Sequence, residues 1–205
     1  MQRTILICVG FALLAALHLG IPLWVLAGRA AILRNGTEVK LELTTRDPRD
    51  LFRGDYSVLA YAIGNLSNLP ATEAERARCP TARPECTTEN GQAVFVVLAP
   101  ADNGTWRATQ ASQTEPAPGT LFIRGKVRFG GFLTNGDNGD AAKCPSGRCF
   151  SGGIDYGIEN WFGPQGVPGE VDRAARNQVI AVVRIDPHGN AVLADLLING
   201  VLVGR

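Results

Sequence analysis

Residues 4–28 form an apolar run whose sole ionisable side chain, other than the thiol of Cys8, is His18. Wound as a helix at about 1.5 Å per residue, such a run is long enough to cross a hydrocarbon layer of about 30 Å. A cleavable signal peptide has an apolar core of only about 7–15 residues, so the length favours an uncleaved anchor over residues 1–28. The small and branched residues Val25, Leu26 and Ala27 keep cleavage after Ala27 open as the alternative. A short basic linker is expected at 29–36, and a single domain at 37–205. There the hydrophobic period changes from helical to twofold. Residues 39–43 (Val-Lys-Leu-Glu-Leu) alternate as a strand with one wet face, whereas 56–63 are largely apolar on both faces, as in an interior strand. Residues 65–90 read as a polar excursion and 93–98 as a buried strand. A turn at 102–104 then leads into a loose segment reaching Gly119.

The strand expected at 121–129 puts Arg124, Lys126 and Arg128 on one face, a basic stripe. Residues 130–153 are rich in Gly, Asn and Asp and predict an exposed loop. Val171, Ala174 and Ala175 give 171–178 a helical spacing, the one short helix predicted after the anchor. Strands at 178–185, 191–198 and 201–203, joined by turns at 186–190 and 199–200, complete a meander. The expected fold class is therefore mostly β: a single N-terminal transmembrane helix, then a small antiparallel β barrel or sandwich with one short helix. The 24 glycines and 12 prolines agree with short strands and many turns.

Charge narrows the function classes. With 20 basic and 19 acidic residues there is no concentrated cationic face of the kind nucleic acid requires. Cysteine use indicates the compartment. Cys8 falls in the apolar run, while Cys79, Cys86, Cys144 and Cys149 form two close pairs, as disulfides in an oxidising space do. The local pairings, Cys79 with Cys86 and Cys144 with Cys149, are preferred among the three possible. Zinc fits the intervals of six and four residues poorly. This favours a cytoplasmic amino terminus and an exported domain.

The octapeptide Gly54-Asp55-Tyr56-Ser57-Val58-Leu59-Ala60-Tyr61 follows Arg46-Asp47-Pro48-Arg49-Asp50-Leu51-Phe52-Arg53. It resembles the signature of the GDYXXLXY family of bacterial membrane-anchored proteins, matching at Gly54, Asp55, Tyr56, Leu59 and Tyr61. Residues 156–166 are similar to a second family segment, in which an aromatic pair precedes Val-Pro-Glu-Gly. Here Gly163 and Gln165 depart from it, so any role for an acid at that point is absent. The ending from Asp186-Pro187 to Asn199-Gly200 is also similar. The resemblance implies an inner-membrane anchor, a periplasmic β domain and cooperation with a multi-pass inner-membrane protein. It carries no assigned reaction, cofactor or metal.

For the motif, the structural reading has Gly54 turning the chain, Asp55 accepting local hydrogen bonds, and the tyrosines and Leu59 filling the core. The functional reading makes Arg53, Asp55 and Tyr61 a recognition surface, joined by Glu159 and Trp161 from the second segment. An Arg-Gly-Asp entry to a strand is also similar to type I signal peptidases. However, no serine lies between the anchor and Ser57, and the lysines are Lys40, Lys126 and Lys143, which leaves a Ser/Lys dyad unsupported. His18 and His188 are the two histidines, one in the apolar run and one in a turn, so histidine catalysis has little to draw on. His18 is a candidate contact with a partner helix. Residues 135–140 lack the ligand alternation of a calcium loop. The leading expectation is a non-enzymatic subunit of a membrane assembly. The alternative is a periplasmic enzyme or ligand-binding module using a polar cleft around the 54–61 and 156–162 segments.

Overall fold

The computed structural model describes residues 2–44, 56–80, 86–134, 144, 146–162, 171, 174 and 179–203. Helix α1 (Gln2–Asn35) contains Pro22 and carries Arg34 in its last turn, where a cation suits the negative end of the helix dipole. Phe11, Leu13, Leu17, Trp24 and Leu26 are all exposed along it, and the helix has no polar stripe. A helix apolar on all sides and unburied by protein is compatible with a membrane anchor. Among the described residues, Leu13–Asn35 is the one stretch long and apolar enough to span a bilayer. The helix includes residues 29–35, expected as a linker, because Ala30, Ala31, Ile32 and Leu33 are good helix formers with no breaker among them. Gly36 alone separates α1 from β1 (Thr37–Thr44). The Gly36 amide donates to the Ile32 carbonyl (2.8 Å), and its own carbonyl accepts from Arg184 Nη1 (3.1 Å).

The remaining strands are β2 (Tyr56–Val58), β3 (Ala60–Tyr61), β4 (Asn65–Pro70), β5 (Ala93–Pro100), β6 (Trp106–Ser112) and β7 (Phe122–Thr134). These are followed by β8 (Arg148–Asp155), β9 (Asn160–Phe162), β10 (Val179–Ile185), β11 (Ala191–Ile198) and β12 (Val201–Leu202). All strand pairs are antiparallel, in a sheet of order β12-β11-β10-β1-β3, a ribbon β2-β9 and a sheet of order β4-β8-β7-β5-β6. The last of these curls until its edge strands meet. Ala71, just past β4, bridges to Ala111 of β6, and the Thr72 amide donates to the Ala111 carbonyl (2.9 Å), so this sheet nearly closes into a barrel. The β1 alternation emerges as read: Val39, Leu41 and Leu43 are buried and their neighbours are wet. Together with Ala181, Val183, Ile185 and Leu196 they join Val94, Val96, Ile123 and Phe150 in one contiguous core.

Several elements differ from the sequence expectation. The 56–63 strand is broken at Leu59 and ends in a 3₁₀ turn (Ala62–Gly64), because its two halves pair with different partners, β9 and β1. The polar stretch after it holds β4 and helix α2 (Glu73–Arg78), and the loose segment after residue 104 holds β6. Both strands are edges whose outward positions tolerate polar side chains, and β4 is bulged between Leu66 and Leu69, which erases the twofold period. The loop expected over 130–153 is strand at both ends, since β7 runs on to Thr134 and β8 begins at Arg148, and residues 135–143 and 145 lie outside the described residues. Of 171–178, where the short helix was placed, only Val171 and Ala174 are described, and both pack on the core. The meander is as expected, with Asn199 and Gly200 both at positive φ in its last turn.

Both cysteine pairs are local. Cys79–Cys86 follows α2, and Cys144–Cys149 leads into β8, with sulfur–sulfur distances of 2.08 and 2.03 Å. Between them lies a buried polar cluster. Glu75 of α2 is fully buried and Arg148 is 2% exposed. Arg148 Nε donates to Glu75 Oε1 (3.3 Å), Nη1 to Thr134 Oγ1 (2.9 Å) and Nη2 to the Cys86 carbonyl (2.8 Å), with the guanidinium over the Phe132 ring. Glu75 also accepts from Arg78 Nη2 (2.8 Å) and the Gln113 amide (3.1 Å).

Candidate functional site

The two segments singled out in the sequence are neighbours. Residues 56–58 pair with 160–162 in the register Tyr56↔Phe162, Ser57↔Trp161, Val58↔Asn160, and the Leu59 amide donates to the Glu159 carbonyl (2.6 Å). Beyond this ribbon the tyrosines lock the segments reciprocally. Tyr61 Oη donates to the Ile158 carbonyl and Tyr156 Oη to the Ile63 carbonyl, each at 2.8 Å. Both rings are buried, at 3% and 7% exposure. Burial first, and the nearby Glu159 carboxylate second, push both phenols well above their ordinary value. Two neutral hydroxyls already donating to carbonyls hold the fold together and are not poised for proton transfer.

Tyr156 reaches this position because β7 has no side chain beneath it. A Cβ on Gly125 would stand 2.3 Å from Ile154 Cγ2 and 2.9 Å from Tyr156 Cδ1. Glu159 is half-buried and its carboxylate accepts from the Tyr156 amide, fixing the turn between β8 and β9. Trp161 is half-buried against the core, whereas Phe162 is exposed. Leu59 is a core residue. Arg53, Gly54 and Asp55 lie outside the described residues, as does the side chain of Tyr56, although its backbone is in β2. His18 is exposed on α1, and its Nδ1 donates to the Leu14 carbonyl (2.9 Å), which satisfies one of the two ring nitrogens within its own helix.

Two open clefts flank the 155–160 turn. One, of about 440 Å³, is lined by Thr44, Leu59, Tyr61, Asn65, Phe129 and Glu159 among others. The second, of about 680 Å³, lies where β8 peels away from β7. Its walls include Val58, Arg124, Lys126, Arg128, Asn160 and Asn190. The gap exists because the edge of β7 vacated by β8 is taken over by the 186–190 turn, whose Gly189 carbonyl accepts from the Arg124 amide (2.8 Å). Thus the expected basic stripe is real, and it faces the family motif. Among the described residues no cluster of three His, Cys, Asp or Glu side chains is placed to hold a metal.

Sequence reasoning missed the Glu75–Arg148 cluster and the contribution of Asn190, whereas Asn160 falls within the 156–162 segment it singled out. A capping-box pattern, Thr72-Glu73-Ala74-Glu75, could have revealed α2, since the Thr72 hydroxyl accepts from the Glu75 amide (3.2 Å). No local signal marks Asn190, which lines the same cleft as Asn160 only through tertiary packing.

No curated protein and no solved structure matches the chain. The family model described as "GDYXXLXY protein" matches residues 18–196, from within α1 to β11, and with the interlocked 56–61 and 156–162 segments inside that match the chain belongs to the GDYXXLXY family.

Proposed function

We propose that this chain is a single-pass, inner-membrane-tethered subunit whose β domain sits in the bacterial periplasm and docks, without catalysis, on a multi-pass membrane protein. The observation that carries the reading is the joint at Gly36. With one residue between α1 and β1, and Arg184 holding the Gly36 carbonyl, the domain is kept close to the bilayer. A domain so short of slack reaches membrane-embedded partners and little else. Two local disulfides fit an oxidising compartment, which favours the periplasmic side. The competing reading, an enzyme or ligand-binding module, draws on the two clefts. Against catalysis stand the tyrosyl hydroxyls at their centre, already donated to carbonyls.

Inserting a flexible Gly/Ser segment of about ten residues between Asn35 and Gly36 separates the readings. Membrane proteins that co-purify with the unaltered chain in mild detergent are expected to be lost, while the domain still forms its disulfides. Undiminished recovery of those proteins, or none with the unaltered chain, would sink the proposal. For the compartment, Cys79, Cys86, Cys144 and Cys149 are expected to resist alkylation in intact cells until a reductant is added. Labelling of all four without reductant would place the domain in a reducing space.

A further inference from the structure

We infer that the 680 Å³ cleft between β7 and the β8–β9 turn binds an extended acidic segment of a partner protein, with carboxylates at alternate positions. This rests on the docking role proposed above and names the chemistry of the docked element. Arg124, Lys126 and Arg128 all line the cleft. Arg124 and Lys126 occupy positions i and i+2 of one strand, so their Cα atoms stand roughly 7 Å apart, the repeat of one face of another extended chain, while Arg128 follows at the β-bulge between Val127 and Phe129. A single phosphate or carboxylate, a few ångströms across, engages one or two of these cations. An extended chain with an acid at every second residue offers each its own counterion.

The acids within the cleft do not cancel this. Asp155 faces Arg128, with Nη1 at 3.6 Å, and the Glu159 carboxylate is turned onto the Tyr156 amide. Arg128 also donates from Nη2 to Asn65 Oδ1 (3.0 Å), so it is the most committed of the three cations. Arg124 is exposed and stacks over the Phe95 ring, 5.9 Å from its centroid, without a carboxylate partner among the described residues. Lys126 is exposed and has no ion-pair partner among them. Two cations without a counterion among the described residues thus stand on the cleft wall. Asn160 and Asn190 also line the cleft; the Asn160 side-chain amide is suited to a peptide's backbone carbonyls, whereas that of Asn190 already donates to Asp186 Oδ2 (2.8 Å). The cleft floor is fixed, because Gly125 admits the Tyr156 ring and the Tyr156 hydroxyl is tied to Ile63.

The probe is a labelled synthetic peptide alternating Glu with Val or Thr, titrated by fluorescence anisotropy into the full chain in uncharged detergent. A matched peptide with Gln for Glu serves as control. The Glu peptide is expected to bind at least tenfold more tightly than the Gln peptide, and to weaken as salt rises. The double variant R124E/K126E should lose at least tenfold in affinity with its urea midpoint unchanged. Inorganic phosphate at millimolar concentration should not displace the peptide. Equal binding of the two peptides, indifference to charge reversal, or displacement by phosphate would each overturn the inference, the last by assigning the cleft to single anions. Failure here with the Gly/Ser insertion still abolishing the complex sinks the cleft alone. Peptide binding with a complex indifferent to the insertion sinks the tethered docking role instead.

Discussion

Arg148→Met is expected to lower the unfolding free energy of the full chain by about 3–5 kcal/mol, the usual cost of removing one member of a buried ion pair. The substitution keeps much of the side-chain volume but leaves the fully buried Glu75 carboxylate, among the described residues, with only Arg78, itself 37% exposed, as a counterion. It also withdraws donors from Thr134 and from the Cys86 carbonyl, so β7, β8 and the first disulfide loop lose a common tie. Urea unfolding in detergent, followed by near-ultraviolet circular dichroism, reads the change. Glu75→Leu combined with Arg148→Met should recover a large part of the loss, because replacing both members of a buried pair removes the stranded charge. If Arg148→Met alone costs less than about 1 kcal/mol, the cluster is not the tie described here.

The second large effect concerns the two buried phenols. Tyr61→Phe and Tyr156→Phe each leave a buried carbonyl without its donor, at about 1–3 kcal/mol apiece. Because both brace the same segments, the pair should not sum. Their titration adds a signature in pH. Each folded-state value is raised above the ordinary 10.0, so each phenol contributes stability that is fully present below pH 10. Above it the unfolded chain loses protons that the folded chain keeps, and stability falls by about 1.4 kcal/mol per pH unit for each tyrosine. The domain is therefore expected to unfold cooperatively in alkali, with tyrosinate absorbance rising together with loss of structure. Tyr61→Phe should reduce the steepness of the fall between pH 10 and 12, and double substitution should reduce it further. The chain has three tyrosines, so early, gradual formation of more than one tyrosinate in a domain that remains folded would contradict the burial of both hydroxyls.

Where the hydrophobic period was strong, the sequence was enough. The apolar run became α1, and the alternation around Val39, Leu41 and Leu43 became β1. The turn residues of the last third delivered the meander formed by β10, β11 and β12. What escaped was held by non-local partners. β6 is polar along most of its length and is a strand because β5 pairs with it. β4 carries a bulge and a residue at positive φ, Asn68, and finds its place against β8. The site shows the same division. The naming motif announced itself, yet its partner carbonyl at Ile158 lies 97 residues away from Tyr61, beyond any local pattern. The basic stripe was legible from alternation alone. That it faces the motif depended on where β8 leaves β7, a choice made by Gly125 and the 186–190 turn.

The stiff union of α1 and β1 turns the helix into a lever. A rotation or change of tilt imposed on it, by a thinner membrane or a shifting neighbour, has a single residue, Gly36, tied to Ile32 and Arg184, in which to be absorbed before it reaches the sheet. The cleft mouth swings with it, so membrane geometry itself becomes a variable in what the domain can reach.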